Sequence, residues 1–254
     1  MLTRRLSSAM VALSLGLSFA GCGDSGSGSG ADADPSGGGN GGRSSTREGV
    51  ASSKGGAHAD LFKDGVLAAG TTARPVVRLK TSEGEILAEL DRRAAPDTVE
   101  NFLDYVRAGF YTDVIFHRVL PGVLVHGGGK DARGVDKPRG PAVRFEGENG
   151  RSHRRGALAM WRDKDPQSAT SEFFFDLADN DGRKPGAKNF DFQSSNRGPE
   201  AFGYCVFGKL KDAASLAVLD RLGAAPVVPH PDFPGETSKP SAPARIVSAE
   251  IVSE

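Results

Sequence analysis

The residues able to do chemistry are few and scattered along the chain. Arg118 sits inside the apolar run Phe116-His117-Arg118-Val119-Leu120. A guanidinium is always charged and rich in N–H donors held in a fixed fork, so it can stabilise a developing lone pair or anion. Taken alone, an arginine on a strand is equally an ion-pair partner at a surface. Ser168 or Ser171 with His117 or His126 would supply nucleophile and base for acyl transfer, yet no G-x-S-x-G elbow surrounds either serine. Gly127-Gly128-Gly129-Lys130 lacks the spaced glycines and the following Ser/Thr of a phosphate loop. His117, His126 and His153 show no metal-ligand spacing, so no metal site is expected. Cys22 and Cys205 are the two cysteines, which excludes a disulfide scaffold and any CxxC site. Cys205, within Tyr204-Cys205-Val206-Phe207, reads as a buried, inert thiol.

The 254 residues suffice for one well-buried domain plus extra segments, and two full domains would be tight. Lys+Arg and Asp+Glu balance at 32 each, so no net field favours nucleic acid or an acidic membrane surface. The N-terminus has a basic start, an apolar run from Ala9 to Ala20 and small residues before a break, the parts of a secretory signal. That run is too short to span a bilayer, which takes about 20 apolar residues. Phe19-Ala20-Gly21-Cys22 resembles a bacterial lipobox, with Phe19 in place of the usual Leu. The resemblance implies a signal over residues 1–21, acylation of Cys22 and a membrane anchor there; a simple cleaved signal is the alternative. Gly23 after the cysteine, where Asp would favour the inner membrane, implies the outer membrane of a bacterial envelope, facing the periplasm. Residues 22–56 are Gly, Ser, Asp and Asn with almost no large apolar side chain, a composition that reads as a flexible tether. A coil of that length spans roughly 30 Å r.m.s.. Residues 57–74 carry no assignable pattern, and the folded domain is expected over 75–254.

The elements that must position any site follow from periodicity. Val77 and Leu79 alternate with Arg78 and Lys80, Ser82-Glu83-Gly84 offers a turn, and Ile86–Leu90 follows, which reads as two strands about a tight turn. Asp97 and Glu100 are spaced as a capping box, with Val99, Phe102, Leu103 and Val106 at helical intervals and Gly109 as the stop. Strand-like runs cover Val114–Leu120, Val123–His126, Gly156–Trp161, Glu172–Leu177 and Tyr204–Leu210. A second helix is expected over Asp212–Leu222, with Ala213, Leu216 and Leu219 on one side, and a last strand over Ala244–Val252. Many short strands with two helices suggest a mainly β fold, a barrel whose open ends the helices cover.

Three stretches in order resemble the cyclophilins: Phe116-His117-Arg118-Val119-Leu120-Pro121-Gly122 running on to Gly129; Gly156–Met160 followed by Gln167–Phe175; and Phe202-Gly203-Tyr204-Cys205-Val206-Phe207-Gly208-Lys209. The resemblance covers roughly residues 75–252. It implies a closed eight-stranded antiparallel β-barrel capped by two α-helices. The implied activity is cis/trans isomerisation of X–Pro bonds in proline-containing polypeptides, by a monomer without cofactor or metal. The barrier of about 18–20 kcal/mol is the amide resonance lost on twisting. A twisted amide has a pyramidal nitrogen with a lone pair, so a donor placed there stabilises only the transition state. Arg118 stands where the family's catalytic arginine stands. By the same resemblance Phe174 is the floor of the proline pocket, Leu124 a wall and Tyr204 the rim.

Four groove residues depart from the family pattern. His126 and Glu172 replace glutamines, Trp161 replaces a small alanine, and Arg162 replaces an asparagine whose backbone receives substrate. An ion pair from Glu172 to Arg118 or Arg162 is expected, and Trp161 could restore the volume lost where Val123 replaces a phenylalanine. These departures leave open an alternative of another class, a catalytically impaired peptide-binding or chaperone module. Residues 181–198 read as a loop able to shape the groove.

Overall fold

The computed structural model describes residues 70–193 and 199–254, with two short strands before them, β1 (Phe62–Lys63) and β2 (Val66–Leu67). Residues 1–61, which hold the expected signal, Cys22 and the tether, lie outside the described residues. Thereafter come β3 (Val76–Thr81), β4 (Gly84–Leu90), α1 (Pro96–Arg107), β5 (Val114–Ile115), β6 (Arg118–Leu120), β7 (Leu124–Gly127), β8 (Ala157–Met160), β9 (Phe173–Asp176) and β10 (Cys205–Leu210). Helix α2 (Ala213–Gly223), β11 (Val227–Pro229), β12 (Thr237–Pro240) and β13 (Arg245–Ser253) complete the chain. Among the described residues no helix is long and apolar enough to cross a membrane.

Nine strands form one sheet in the order β5-β13-β3-β4-β10-β8-β9-β7-β6, antiparallel throughout. The strands at its two ends, β5 and β6, are separated by Phe116 and His117 alone. A sheet whose ends are two residues apart along the chain must curl back on itself. The residues after β7 meet β5 as well: Ile115 N donates to Lys130 O at 3.0 Å, and Val114 bridges Asp131. No ladder among the described residues joins β5 to β6, so the sheet is a curled half-barrel with its seam crossed by chain. Counting β5 and β6 as one broken strand turns the nine into the expected eight.

Strand alternation divides the buried residues into two sets. Across β6, β7, β9, β8 and β10 the register aligns Arg118, His126, Phe174, Ala159 and Val206 in one transverse row. Residues paired across neighbouring strands share a face, so this row points one way. The adjacent row, Val119, Val125, Phe175 and Leu158, points the other. Accordingly Phe173 and Phe175 belong to the main core, whereas Phe174, Leu124, Ala157, Ala159 and Val206 form a separate outer cluster. The three consecutive phenylalanines serve both faces, as period-two alternation demands.

Helix α1 inserts Phe102 into the main core, where its ring meets Tyr111, Phe207 and Phe173 at 5.1–5.4 Å between centroids. Each fully buried ring contributes about 1.5–3 kcal/mol of apolar transfer. The N-terminus of α1 differs from the expected capping box. Its cap residue is Ala95, which has no capping side chain. Instead Glu146, from a distant loop, accepts the backbone N–H groups of Asp97 and Thr98 at 3.3 and 2.9 Å. Glu100 pairs with Arg92 (Nε–Oε1 2.5 Å), both side chains buried. Helix α2 starts as expected, with Asp212 accepting Ser215 N at 2.7 Å. Its buried face is Ser215, Val218, Leu219 and Leu222, leaving Ala213 exposed because the stripe is rotated from the one read in sequence.

Candidate active site

Arg118 lies at the start of β6 with only 5% of its surface exposed. Its Nε and Nη2 donate to Glu236 Oε2 and Oε1, both at 2.9 Å. This two-point fork fixes the plane of the guanidinium. The hydrogen bond from Arg118, with the charge it carries, pulls the Glu236 carboxyl below its ordinary value against the opposing effect of burial. The Phe233 ring lies 4.2 Å and the Trp161 ring 5.2 Å from the guanidinium carbon, within cation–π range. Glu236 and Phe233 come from the connection between β11 and β12, which lies against β6 and anchors there through His230 Nε2 and His117 O at 3.3 Å. The remaining nitrogen of Arg118, Nη1, is buried and has no partner among the described residues.

Along the same face, His126 stands opposite Arg118 on β7 and is fully buried. Its Nε2 lies 3.1 Å from Glu172 Oε2. The Trp161 ring lies 4.4 Å from the imidazole, tilted by 32°. Burial, and then the positive charges of Arg118 and Arg139, hold His126 well below its ordinary pKa. The ring is therefore neutral at physiological pH and puts no second cation against Arg118. Glu172 is held on its other oxygen by Arg139 at 2.8 Å. The expected pairing of Glu172 with Arg118 or Arg162 does not occur, because Glu236 and Arg139 take those roles.

Phe174 forms the centre of the outer cluster. Tyr204 meets it edge-on at 5.1 Å, Phe190 at 6.0 Å and Trp161 at 6.2 Å. Behind it His153 stacks in parallel at 5.7 Å and donates to or accepts from Asp176 through Nδ1 at 2.8 Å. Asn180 Nδ2 completes this buried clasp by donating to Asp176 Oδ1 at 2.7 Å. Burial raises the Asp176 carboxyl above its ordinary value. Phe190 reaches the cluster because residues 181–190 turn back on themselves, with Asp181 bridging Asn189 and Phe190 N donating to Asn180 O at 2.8 Å. Gly203, at φ +58, brings the next turn so close that an added Cβ would lie 2.1 Å from Phe190 O. Leu124 flanks Phe174 on β7.

The sequence model of the family described as "Cyclophilin type peptidyl-prolyl cis-trans isomerase/CLD" matches residues 76–251. That span takes in both helices and the nine-stranded sheet as far as Ile251 within β13. The chain belongs to the cyclophilins. It is 38% identical over 185 residues to peptidyl-prolyl cis-trans isomerase A of Dickeya dadantii, covering 72% of this chain and 87% of that one. It is also 38% identical over 147 residues to peptidyl-prolyl cis-trans isomerase B of Escherichia coli, 58% of this chain and 83% of that one. The fold matches the crystal structure of a cyclophilin-type isomerase from Cryptosporidium parvum with a TM-score of 0.50 and 23% identity, over 71% of this chain and 99% of that one. The function is that of a peptidyl-prolyl cis-trans isomerase.

Within this cyclophilin the fold gathers Arg118, His126, Glu172, Trp161, Phe174, Leu124 and Tyr204 on one face. Arg162 is differently employed. Its Nε donates to Gly203 O at 2.8 Å and its Nη1 to Asp163 O at 2.7 Å, tying two loops together, while its guanidinium lies 5.3 Å from the centre of the Tyr204 ring. Phe174 is 0% and Leu124 2% exposed, packed with Trp161, Phe190 and Tyr204. Sequence reasoning missed Glu236, Phe233, Arg139 and Phe190. The signal for the first two was slight: a lone aromatic and a carboxylate between prolines and a glycine, in Pro231-Asp232-Phe233-Pro234-Gly235-Glu236. The absence of metal-ligand spacing along the chain also proved no guide to space, since the fold brings His117, His126 and Glu172 together.

Proposed function

We propose that Arg118 is the residue that isomerises X–Pro bonds, through its Nη1, and that Phe174, Leu124 and Tyr204 seat the proline ring. The observation that carries this reading is the buried, unpartnered Nη1 on a guanidinium whose other two nitrogens are fixed by Glu236. A fixed donor already desolvated is worth more to a developing lone pair than to the planar amide, whose nitrogen has none to offer. Glu236 acts as a positioning residue: it holds the fork still while Nη1 faces the substrate. Neutral His126 lies next to the guanidinium as a donor or acceptor for the substrate carbonyl. Trp161 is the cover of the slot, and its displacement by the residue before proline selects among substrates.

The N-terminal sequence supports placing this activity in a bacterial envelope. In this reading residues 1–21 are a lipoprotein signal and Cys22 carries the acyl chains. The tether lets a monomeric domain work near the periplasmic face of the outer membrane. The test is to express the full chain, follow X–Pro isomerisation, and fractionate cells beside a Cys22→Ser variant. Accelerated isomerisation is the expected result, with the wild type in the outer membrane and the variant released or unprocessed. Isomerisation at the uncatalysed rate would overturn the catalytic reading, and identical fractionation of the two proteins would overturn the anchor.

A further inference from the structure

His117, His126 and Glu172 come from the β5–β6 junction, from β7 and from the residue preceding β9, and each is buried. One ligand-type atom of each lies within 4.8 Å of the others. Both imidazoles carry a buried Nδ1 with no partner among the described residues. A buried polar atom left unpaired costs about 1–3 kcal/mol, so the unpaired His117 Nδ1, on a ring 4.5 Å from that of His126, calls for a reason. Their surroundings also keep them in the form that binds metal. Burial is the main cause that brings the His117 pKa down to about 3 and His126 well below its ordinary value. Neutral imidazole is the ligand species.

The spacing suits a small tetrahedral ion. Ligand atoms about 2.0–2.1 Å from zinc stand about 3.3–3.4 Å apart. His126 Nε2 and Glu172 Oε2 are already 3.1 Å apart. Since no pair in the group exceeds 4.8 Å, His117 needs to close by at most about 1.4 Å to meet that spacing. We infer that His117, His126 and Glu172 form a three-ligand site for a divalent transition-metal ion of the zinc type, with water in the fourth position. Two imidazoles and one carboxylate are a donor set such ions take in preference to calcium or magnesium.

The charges around the site are balanced, save for one competitor. Arg118 is paired with Glu236, and Lys130 with Asp136 and Asp232 at 3.2 and 3.4 Å. Arg139 alone holds a ligand, through Glu172 Oε1 at 2.8 Å. The ion takes the other oxygen and works against that positive charge. Arg139 therefore sets the affinity, and this separates the inference from one about general loss of structure. Metal binding here is independent of whether Arg118 catalyses isomerisation.

The test is zinc titration of the chelator-stripped full chain by calorimetry, beside H126Q, E172Q and R139Q, with far-UV circular dichroism to confirm that each is folded. One zinc per chain is expected in the wild type. Its affinity should fall at least about tenfold in H126Q and E172Q and rise in R139Q. Cobalt in the wild type should give the intense visible bands of a tetrahedral ion. No zinc uptake by the folded wild type would overturn the inference. So would equal affinity in H126Q and E172Q, which would point to ligands elsewhere in the chain, such as Cys22 or His58. An octahedral cobalt spectrum, or an R139Q affinity no higher than wild type, would remove the three-ligand geometry.

Discussion

Two buried arginines, one under α1 and one in the groove, show how the same side chain is set to different work. Arg92 is fully enclosed and every arm is occupied: Nε by Glu100 at 2.5 Å, Nη1 by Thr72 O at 2.6 Å, and Nη2 by Glu254 at 3.4 Å. Arg118 is almost as deeply buried, yet its Nη1 has no partner. An arginine that only holds a fold together uses all its donors, because each one left dry is costly. The role proposed for Arg118, meeting a transient lone pair, needs one donor kept in reserve. The groove bears that cost in stability, and the well-packed core beneath α1 does not.

The comparison breaks most visibly at Arg92. Arg92→Met leaves the Glu100 carboxylate buried with only Arg107 nearby at 3.6 Å. It should cost about 3–5 kcal/mol in denaturant unfolding, while the folded fraction keeps its isomerase turnover. A variant that stayed as stable as wild type would remove Arg92 as the contrasting case.

Acid sharpens the difference next. His117 and His126 are neutral when folded and have ordinary values when unfolded. Below about pH 6.5 the unfolded chain binds protons that the folded chain refuses, so stability falls as pH falls. The slope is about 1.4 kcal/mol per pH unit for each such histidine, running down to about pH 3 for His117. Glu236 runs in the same sense but lower. Its depressed carboxyl contributes stability above the ordinary glutamate range and loses it as pH falls through the folded value. Unfolding measured between pH 7 and 4 should show the histidine slope, and H126Q should lessen it.

Glu236→Gln keeps the shape but loosens the fork on Arg118. Turnover on X–Pro peptides should drop about tenfold through kcat, as expected when a donor is less well positioned, with KM nearly unchanged and the melting temperature lowered by loss of the ion pair. Loss of stability with full turnover would instead make Glu236 a structural partner like Glu100. The smallest effect is expected at Trp161. Trp161→Ala uncovers Phe174 and should raise kcat/KM several-fold, and an unchanged value would show that the tryptophan moves away at no cost.

How much of this was legible in the sequence follows contact distance along the chain. The strands of the large sheet, the second helix and the row containing Phe174 were readable because alternation and cap chemistry act within a few residues, whereas the short strands β1, β2, β11 and β12 were not. The cap of α1 was misread because Glu146, about fifty residues away, takes the place of the nearby carboxylates. The setting of Arg118 was invisible for the same reason, since Glu236 lies 118 residues further on. Resemblance named candidate groove residues but could not say that Arg162 bonds two loop carbonyls, or that Trp161 packs edge-on against Phe174. Those facts depend on side-chain packing between strands far apart in sequence.

The most direct test of the central claim is kcat/KM on an X–Pro peptide for the full chain, Arg118→Ala and Arg118→Lys, with unfolding curves beside each. A loss of about 10²–10³-fold in Arg118→Ala is predicted, as when a single transition-state donor is removed. Stability should be unchanged or slightly higher, with little rescue by lysine, which lacks the fork. Turnover that survives in a folded Arg118→Ala protein would contradict the account and place the catalytic donor elsewhere in the groove.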